Sequence, residues 1–270
     1  MRFKLTLSAH SGVSIIPVNY QYPLSAVIYK ILDSADQDYA RFLHDTGYQK
    51  AGALKSFKFF TFSDLKAPFK IQGDRLHFKT SELELQVSFH LPQAAKNFIN
   101  GLFLNQQIDI ADKQSKATFT VSRIESIPLS LNLASEQIQE VILTPMSPVV
   151  SGKKNEKGNY DFLSPEHPDF IKMLMYNWRE KYAVLNGSEQ AEIALANAEI
   201  SVLLDRTPPR SRLIAIKAGT PAETKIRGFA NFQLKVTGPG DALELLANSG
   251  AGLYNSLGFG YIELQKEKDL

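Results

Sequence analysis

Five histidines are the side chains of this chain best suited to move protons near neutral pH: His10, His44, His77, His90 and His167. An imidazole has an unperturbed pKa of about 6.5, so small changes in its surroundings decide whether it acts as acid or base. Their settings differ. His44 follows Leu43 at the end of a short amphipathic pattern and precedes Asp45-Thr46-Gly47, which places it at a helix–loop junction. His77 and His90 fall in strand patterns, His10 borders Ser11-Gly12, and His167 stands between Glu166 and Pro168 at a helix start. There is no cysteine, which removes thiolate nucleophiles, disulfides and thiolate metal sites. No His/Asp/Glu cluster has metal-ligand spacing, and no Gly-x-Ser-x-Gly elbow is present. The expectation is therefore acid–base chemistry without metal or cofactor.

Phosphate is the substrate chemistry that the rest of the sequence suggests. The net charge of +2 over 270 residues is uninformative, but its distribution is not. Residues 41–79 carry eight bases against three acids, and residues 205–237 carry seven against two, a local +5 in each case. Two basic segments on an otherwise acidic chain suit a polyanion groove. Near the C-terminus, Gly250-Ala251-Gly252-Leu253-Tyr254-Asn255-Ser256-Leu257-Gly258-Phe259-Gly260 holds two Gly-x-Gly pairs. It lacks the Lys-Ser/Thr end of a Walker A loop, and Asn255 stands where a dinucleotide fingerprint needs its third glycine. Such a loop brings bare backbone N–H groups close to a phosphate, or else caps a helix at Gly250 and turns tightly. Arg227-Gly228-Phe229-Ala230 matches the first four positions of the RNA-binding RNP1 motif, but Asn231 and Leu234 miss its aromatic positions.

The elements that must position these residues follow from periodicity. Phe3, Leu5 and Leu7 alternate as in a half-buried strand, and Leu24, Val27, Ile28 and Ile31 keep helical spacing. Ser34 with Gln37 fits a capping box opening a second helix. Strands are predicted over 57–62, 75–78, 83–89 and 117–124, with a helix from Pro92 to Leu104 between the last two. The second half repeats the order: strand 138–143, loop 146–160, helix 165–182, strands 193–204, 213–217 and 225–236, helix 241–248, strand 259–264. The predicted fold class is α+β, two tandem ferredoxin-like (RRM-like) domains with a C-terminal Gly-rich loop, divided as 1–128 and 129–270. No apolar run is long enough to span a membrane, and the N-terminus alternates like a strand rather than a signal peptide, so the expected location is cytoplasmic.

The Gly-rich loop ending in Asn255-Ser256-Leu257-Gly258-Phe259-Gly260, its place before the last strand, the stretch Lys225-Ile226-Arg227-Gly228-Phe229, and Pro17, Tyr20, Pro23 and Phe60-Thr61-Phe62-Ser63 together resemble the CRISPR repeat-processing endoribonucleases of the repeat-associated mysterious protein superfamily. The loop departs from that pattern in carrying Leu253-Tyr254 where a Lys or Arg is usual. The resemblance implies metal-independent cleavage of precursor CRISPR RNA within each repeat. The ribose 2′-OH attacks the adjacent phosphate, leaving 5′-hydroxyl and 2′,3′-cyclic phosphate ends. It assigns proton exchange to His44, orientation or activation of the 2′-OH to Tyr29, and stabilisation of the charged phosphorane to Lys50. RNA contacts are expected from Lys55, Lys58, Arg206, Arg210, Arg212, Lys225 and Arg227, with Gly250, Gly252, Gly258 and Gly260 in the loop. The expected partner is CRISPR repeat RNA, with other CRISPR effector subunits and a homodimer as further candidates. The alternative is a non-catalytic RNA-binding subunit of an effector complex; a metabolic or ligand-sensing protein on the same fold stands further off.

Overall fold

The structure is a computed structural model that describes residues 1–53, 55–129, 131 and 137–265. The expected division between halves, near 125–136, lies partly outside these residues. In chain order the first half contains β1 (Arg2–Ala9), β2 (Ile15–Pro17), α1 (Gln21–Ala35), α2 (Gln37–Asp45), β3 (Tyr48–Gln49), β4 (Ser56–Phe57), β5 (Phe60–Phe62), β6 (Phe69–Gln72), β7 (Arg75–Phe78), β8 (Glu82–Phe89), α3 (Pro92–Leu104), β9 (Gln107–Ala111) and β10 (Lys116–Ser126). The second contains β11 (Ile138–Pro145), β12 (Ser151–Lys154), β13 (Tyr160–Leu163), α4 (Phe170–Asn186), α5 (Ser188–Ala194), β14 (Glu199–Leu203), β15 (Arg210–Ile216), β16 (Thr224–Ala230), β17 (Gln233–Pro239), α6 (Gly240–Ser249) and β18 (Ile262–Leu264). This is a mixed α/β fold with, among the described residues, six α-helices and antiparallel sheets.

The two main sheets share a plan. The first has the order β5-β8-β1-β10-β9 and the second β14-β17-β11-β18. In each, the opening strand of the half sits between the strand before its last helix and a strand after it: β1 between β8 and β10, β11 between β17 and β18. The periodicity explains the packing. Leu5 and Leu7 of β1 and Leu24, Ile28 and Leu32 of α1 are buried in one core. Leu174 and Trp178 of α4 are buried in a second, with Leu234 and Val236 of β17.

Several predicted boundaries move, each for a local reason. The cap of α2 is Asp36, whose carboxylate accepts the Tyr39 N–H at 3.0 Å; Ser34 instead donates to the Lys30 carbonyl inside α1. The runs 57–62 and 225–236 each divide, because Phe59 (φ 51°) and Asn231 (φ 65°) take left-handed conformations that interrupt an extended chain. The segment 146–160 is not all loop: β12 pairs with β13 in a hairpin. Turns at His167 and Phe170 delay α4 to Phe170. Ile193 belongs to α5 rather than to a strand, and the final strand starts at Ile262, after the left-handed Gly260 (φ 71°). No helix among the described residues is long and apolar enough to cross a membrane.

The halves meet through buried polar groups. Arg2 lies 4.5 Å above the Tyr261 ring and donates to the Ile262 carbonyl at 2.6 Å. The Tyr261 hydroxyl donates to Gln86 at 2.8 Å, and Thr61 donates to the Phe259 carbonyl at 2.9 Å.

Candidate functional site

The last turn of α2 lifts His44 to the surface, where 68% of its side chain is exposed. Its Nδ1 lies 2.7 Å from the Asp45 carboxylate. An ionised carboxylate only accepts, so Nδ1 carries the proton and Nε2 is left as the basic nitrogen. The imidazole meets the Tyr29 ring edge-on, with centroids 5.1 Å apart and planes at 82°. Tyr29 projects from α1 and packs edge-on against Phe60 as well. Burial pushes its hydroxyl pKa up to about 12, opposed by a hydrogen bond with Ser256 of the Gly-rich loop. At neutral pH it is a phenol, not a phenolate base.

Of the lysines that follow His44 in the chain, it is Lys58 that stands beside it. Its Nζ donates to the His44 carbonyl at 2.9 Å, and burial lowers its pKa while Asp45 raises it. Lys50, which follows the strand after α2, donates instead to Glu180 of α4 at 2.7 Å. The structure thus brings Tyr29, His44, Lys58 and Ser256 together and ties Lys50 to a carboxylate of the second half.

The glycines of the loop act through packing. Gly250, Gly252, Gly258 and Gly260 all have positive φ, between 71° and 85°. A Cβ at Gly252 would strike the Val150 carbonyl, at Gly258 the Phe62 ring, and at Gly260 the Ala251 carbonyl. The backbone N–H groups of Gly250, Ala251, Leu253, Gly258 and Gly260 donate to Leu246, Gly260, Val150, Asn255 and Pro148 respectively. Amides bonded inside the protein are not offered to a phosphate, so the cradle expected of this loop is closed on itself at those positions.

Two polar residues one turn apart on α4 hold the loop. Lys181 is fully buried; its Nζ donates to the carbonyls of Ser249 (3.2 Å) and Gly250 (2.6 Å) and to Asn255 Oδ1 (2.7 Å). Burial, reinforced by Lys55, drives its pKa well down, while three oxygens take the three protons of an ammonium. Two of those oxygens are carbonyls at the C-terminal end of α6, where a cation is favoured. The Asn177 amide, oriented by its surroundings, donates to the Gly252 carbonyl at 2.9 Å and accepts from Lys55 at 3.2 Å.

The second basic segment forms the β15–β16 hairpin. Arg206, Arg210, Lys225 and Arg227 are exposed on or beside it, with Arg227 donating to Ser211 at 3.3 Å and Lys225 3.7 Å from Glu223. Arg212 is different: it pairs with Asp64 at 2.6 Å, and Asp64 also accepts from Tyr20 at 2.9 Å. Burial opposes the charge of Arg212, but Asp64 and Tyr20 outweigh it and raise its pKa. Arg212 therefore anchors the hairpin to the first half. The remaining histidines have structural partners or surroundings: His10 meets Thr120 at 2.7 Å, His167 accepts from the Asp169 N–H, His77 lies in register with Ile15, and His90 is largely buried with its Nδ1 unpartnered.

Sequence reasoning named Tyr29 and His44, which the structure makes neighbours, but passed over Ser256, Asn177 and Lys181. A signal existed for Lys181: it stands seven residues after Leu174 on the apolar stripe that includes Trp178, where an unpaired lysine is out of place.

A chain of two like-ordered antiparallel sheets, with a helix-end histidine and a closed Gly-rich loop before the last strand, defines the class on geometry. Comparison with known proteins gives it a name. Residues 15–125 match the family model "CRISPR-associated protein Cas6, N-terminal" and residues 132–264 match "CRISPR associated protein Cas6, C-terminal". The chain belongs to the Cas6 family. It is 29% identical over 272 residues to a CRISPR-associated endoribonuclease Cas6 of Methanocaldococcus jannaschii, covering 100% of this chain and 94% of that one. It is 24% identical over 257 residues to the CRISPR-associated endoribonuclease Cas6 of Pyrococcus furiosus, covering 94% and 85%. A solved Cas6-related structure from Pyrococcus furiosus shares the fold with a TM-score of 0.77 at 18% identity, covering 99% of each chain.

Proposed function

We propose that this chain is a CRISPR endoribonuclease that binds precursor CRISPR RNA and cuts it once within each repeat. The observation that carries the reading is the Tyr29–His44–Lys58–Ser256 group in a chain of the Cas6 family. The two halves are tandem ferredoxin-like domains, 1–128 and 129–270, a reading supported by the common strand order of their sheets.

In the proposed reaction Nε2 of His44 removes the proton of a ribose 2′-OH, whose oxygen attacks the adjacent phosphorus. The P–O5′ bond breaks, and the 5′-oxygen takes the proton back from the His44 imidazolium, leaving a 2′,3′-cyclic phosphate and a 5′-hydroxyl. Asp45 fixes the imidazole tautomer that makes Nε2 basic. Tyr29 orients the ribose, and Lys58 faces the charge that builds on the phosphate, the role the resemblance gave to Lys50. The exposed cations Arg206, Arg210, Lys225 and Arg227 follow the backbone; the glycines shape the loop that presents Ser256.

The test is an end-labelled repeat RNA from the host array, incubated with protein in excess EDTA beside His44→Ala. A single cut by the wild type is expected, slowed about 10²–10⁴-fold in the variant with RNA affinity kept, the range of general acid–base catalysis. Binding without a cut by the wild type would reduce the chain to an RNA-holding subunit.

A further inference from the structure

A pocket of about 230 Å³ opens at the seam between the halves, between the β4–β5 segment, the β12–β13 hairpin, α4 and the Gly-rich loop. Its chemistry is divided. Lys55 and Lys58 line it beside Lys181, whose donors are taken up by the loop, and no carboxylate does among the described lining residues, so it favours an anion. The same wall carries Phe57, Tyr160 and Tyr254. Lys55 is held at the mouth by aromatic faces, 5.1 Å from the Phe57 ring centre and 4.9 Å from that of exposed Tyr176. Tyr160 and Tyr254 meet edge-on at 6.1 Å, and Phe162, stacked 6.4 Å from Tyr160, and Phe259, 6.4 Å from Tyr254, back the two rings. A basic track continues past the pocket: Lys154 lies 6.0 Å from the Tyr160 ring centre, and Lys153 and Lys157 on the same hairpin are exposed.

An aromatic wall with lysines at the rim, and no acid among the lining residues, fits a nucleobase joined to its phosphate. The volume is below the range of about 300–1,000 Å³ for small-molecule sites, which suits one nucleotide and excludes a helical segment. The continuing lysines suit a strand that enters and leaves rather than a free mononucleotide.

We infer that this pocket takes one unpaired nucleotide of the RNA strand, its base against Tyr160 and Tyr254 and its phosphate on Lys55. The inference rests on the RNA-cleaving function proposed above and concerns a position next to its proposed catalytic group, whose Lys58 and Ser256 line the same pocket. It makes Tyr160 a determinant of which unpaired stretch of the repeat the protein holds.

The experiment measures affinity by fluorescence anisotropy for a 12-nucleotide single-stranded RNA taken from the repeat and for a 12-base-pair RNA duplex. Tyr160→Ala weakens the single strand about tenfold, the size of one base–aromatic stack, and leaves the duplex unchanged, while Tyr160→Phe binds as wild type. Abasic substitutions walked along the strand show one position whose loss costs the same and is not additive with Tyr160→Ala. Equal affinities for wild type and Tyr160→Ala, or equal losses on strand and duplex, overturn the inference, as does competition by free AMP at micromolar concentration. A wild type that cuts repeat RNA while Tyr160→Ala binds normally removes the pocket alone; a wild type that binds no RNA removes the function as well.

Discussion

The first helices of the two halves, α1 and α4, occupy corresponding places in sheets of the same strand order, and both grip the Gly-rich loop with two residues one turn apart. From α1, Ser25 donates to the Ser256 carbonyl at 2.7 Å and Tyr29 bonds the Ser256 side chain. From α4, Asn177 bonds the Gly252 carbonyl and Lys181 bonds Gly250 and Asn255. Ser25, Asn177 and Lys181 are all buried and satisfy the loop, whereas Tyr29 is only partly buried and its ring meets the exposed His44. One topology therefore ends at the surface through Tyr29 on one side and in a closed clamp through Lys181 on the other, and the difference lies in the burial of that one residue rather than in fold.

The largest effect is expected at the sealed grip. Lys181→Met strands two carbonyls and the Asn255 oxygen without a donor, at a cost of about 3–5 kcal/mol. A thermal melt should fall by roughly 10 °C, whereas Tyr29→Phe should melt within ~2 °C of wild type. Equal melting of Lys181→Met and wild type would break the comparison.

Titration separates the exposed and buried histidines next. Burial lowers the His90 pKa to about 4, with the N-terminal ammonium and Lys181 adding to the shift. Its folded pKa lies below its unfolded value of about 6.5, so the unfolded chain binds the extra proton between them. The resulting stability is present above about pH 6.5 and is lost as pH falls toward 4, on the order of 3 kcal/mol. Denaturant midpoints across that window should slope less in His90→Gln, and identical slopes would remove His90 as the cause.

The two lysines sharpen the picture at the open grip. Lys58→Met should slow single-turnover cleavage about tenfold or more, and Lys50→Met, which cuts only the link to Glu180, by less than about threefold. The reverse order would return the phosphate-facing role to Lys50. Smallest is the outer hairpin: Arg227→Ala should reduce the salt slope of RNA binding by about 0.7, one single-strand phosphate contact. Arg212→Ala should instead loosen the hairpin from Asp64 and show up in the thermal melt.

Much of this was legible in the chain. Strands and helices with clean periodicity, β1, α1, α3 and α6, were readable because side-chain spacing alone decides them. The breaks at Phe59 and Asn231 were not, since a left-handed non-glycine residue is imposed by tertiary contacts rather than by local preference. Tyr29 and His44 were reachable through resemblance, and the structure makes them neighbours. The pairing of Lys50 with Glu180 was invisible, because the two are 130 residues apart in sequence. The glycines of the loop allow two readings, a phosphate cradle or a helix cap with a tight turn; spacing reveals that a tight path is needed but not whether the path faces solvent or packs against Phe62 and Val150.

The closed loop also has a kinetic signature. The amides of Ala251, Leu253 and Gly260 are bonded to carbonyls at Gly260, Val150 and Pro148, and helices from both halves hold the turn between them. Opening it requires the seam to part, so these amides should exchange with solvent deuterium as slowly as the strand interiors, unlike the fast exchange usual for a glycine-rich turn. The nuclease surface would thus be presented on a frame that is rigid before any RNA arrives.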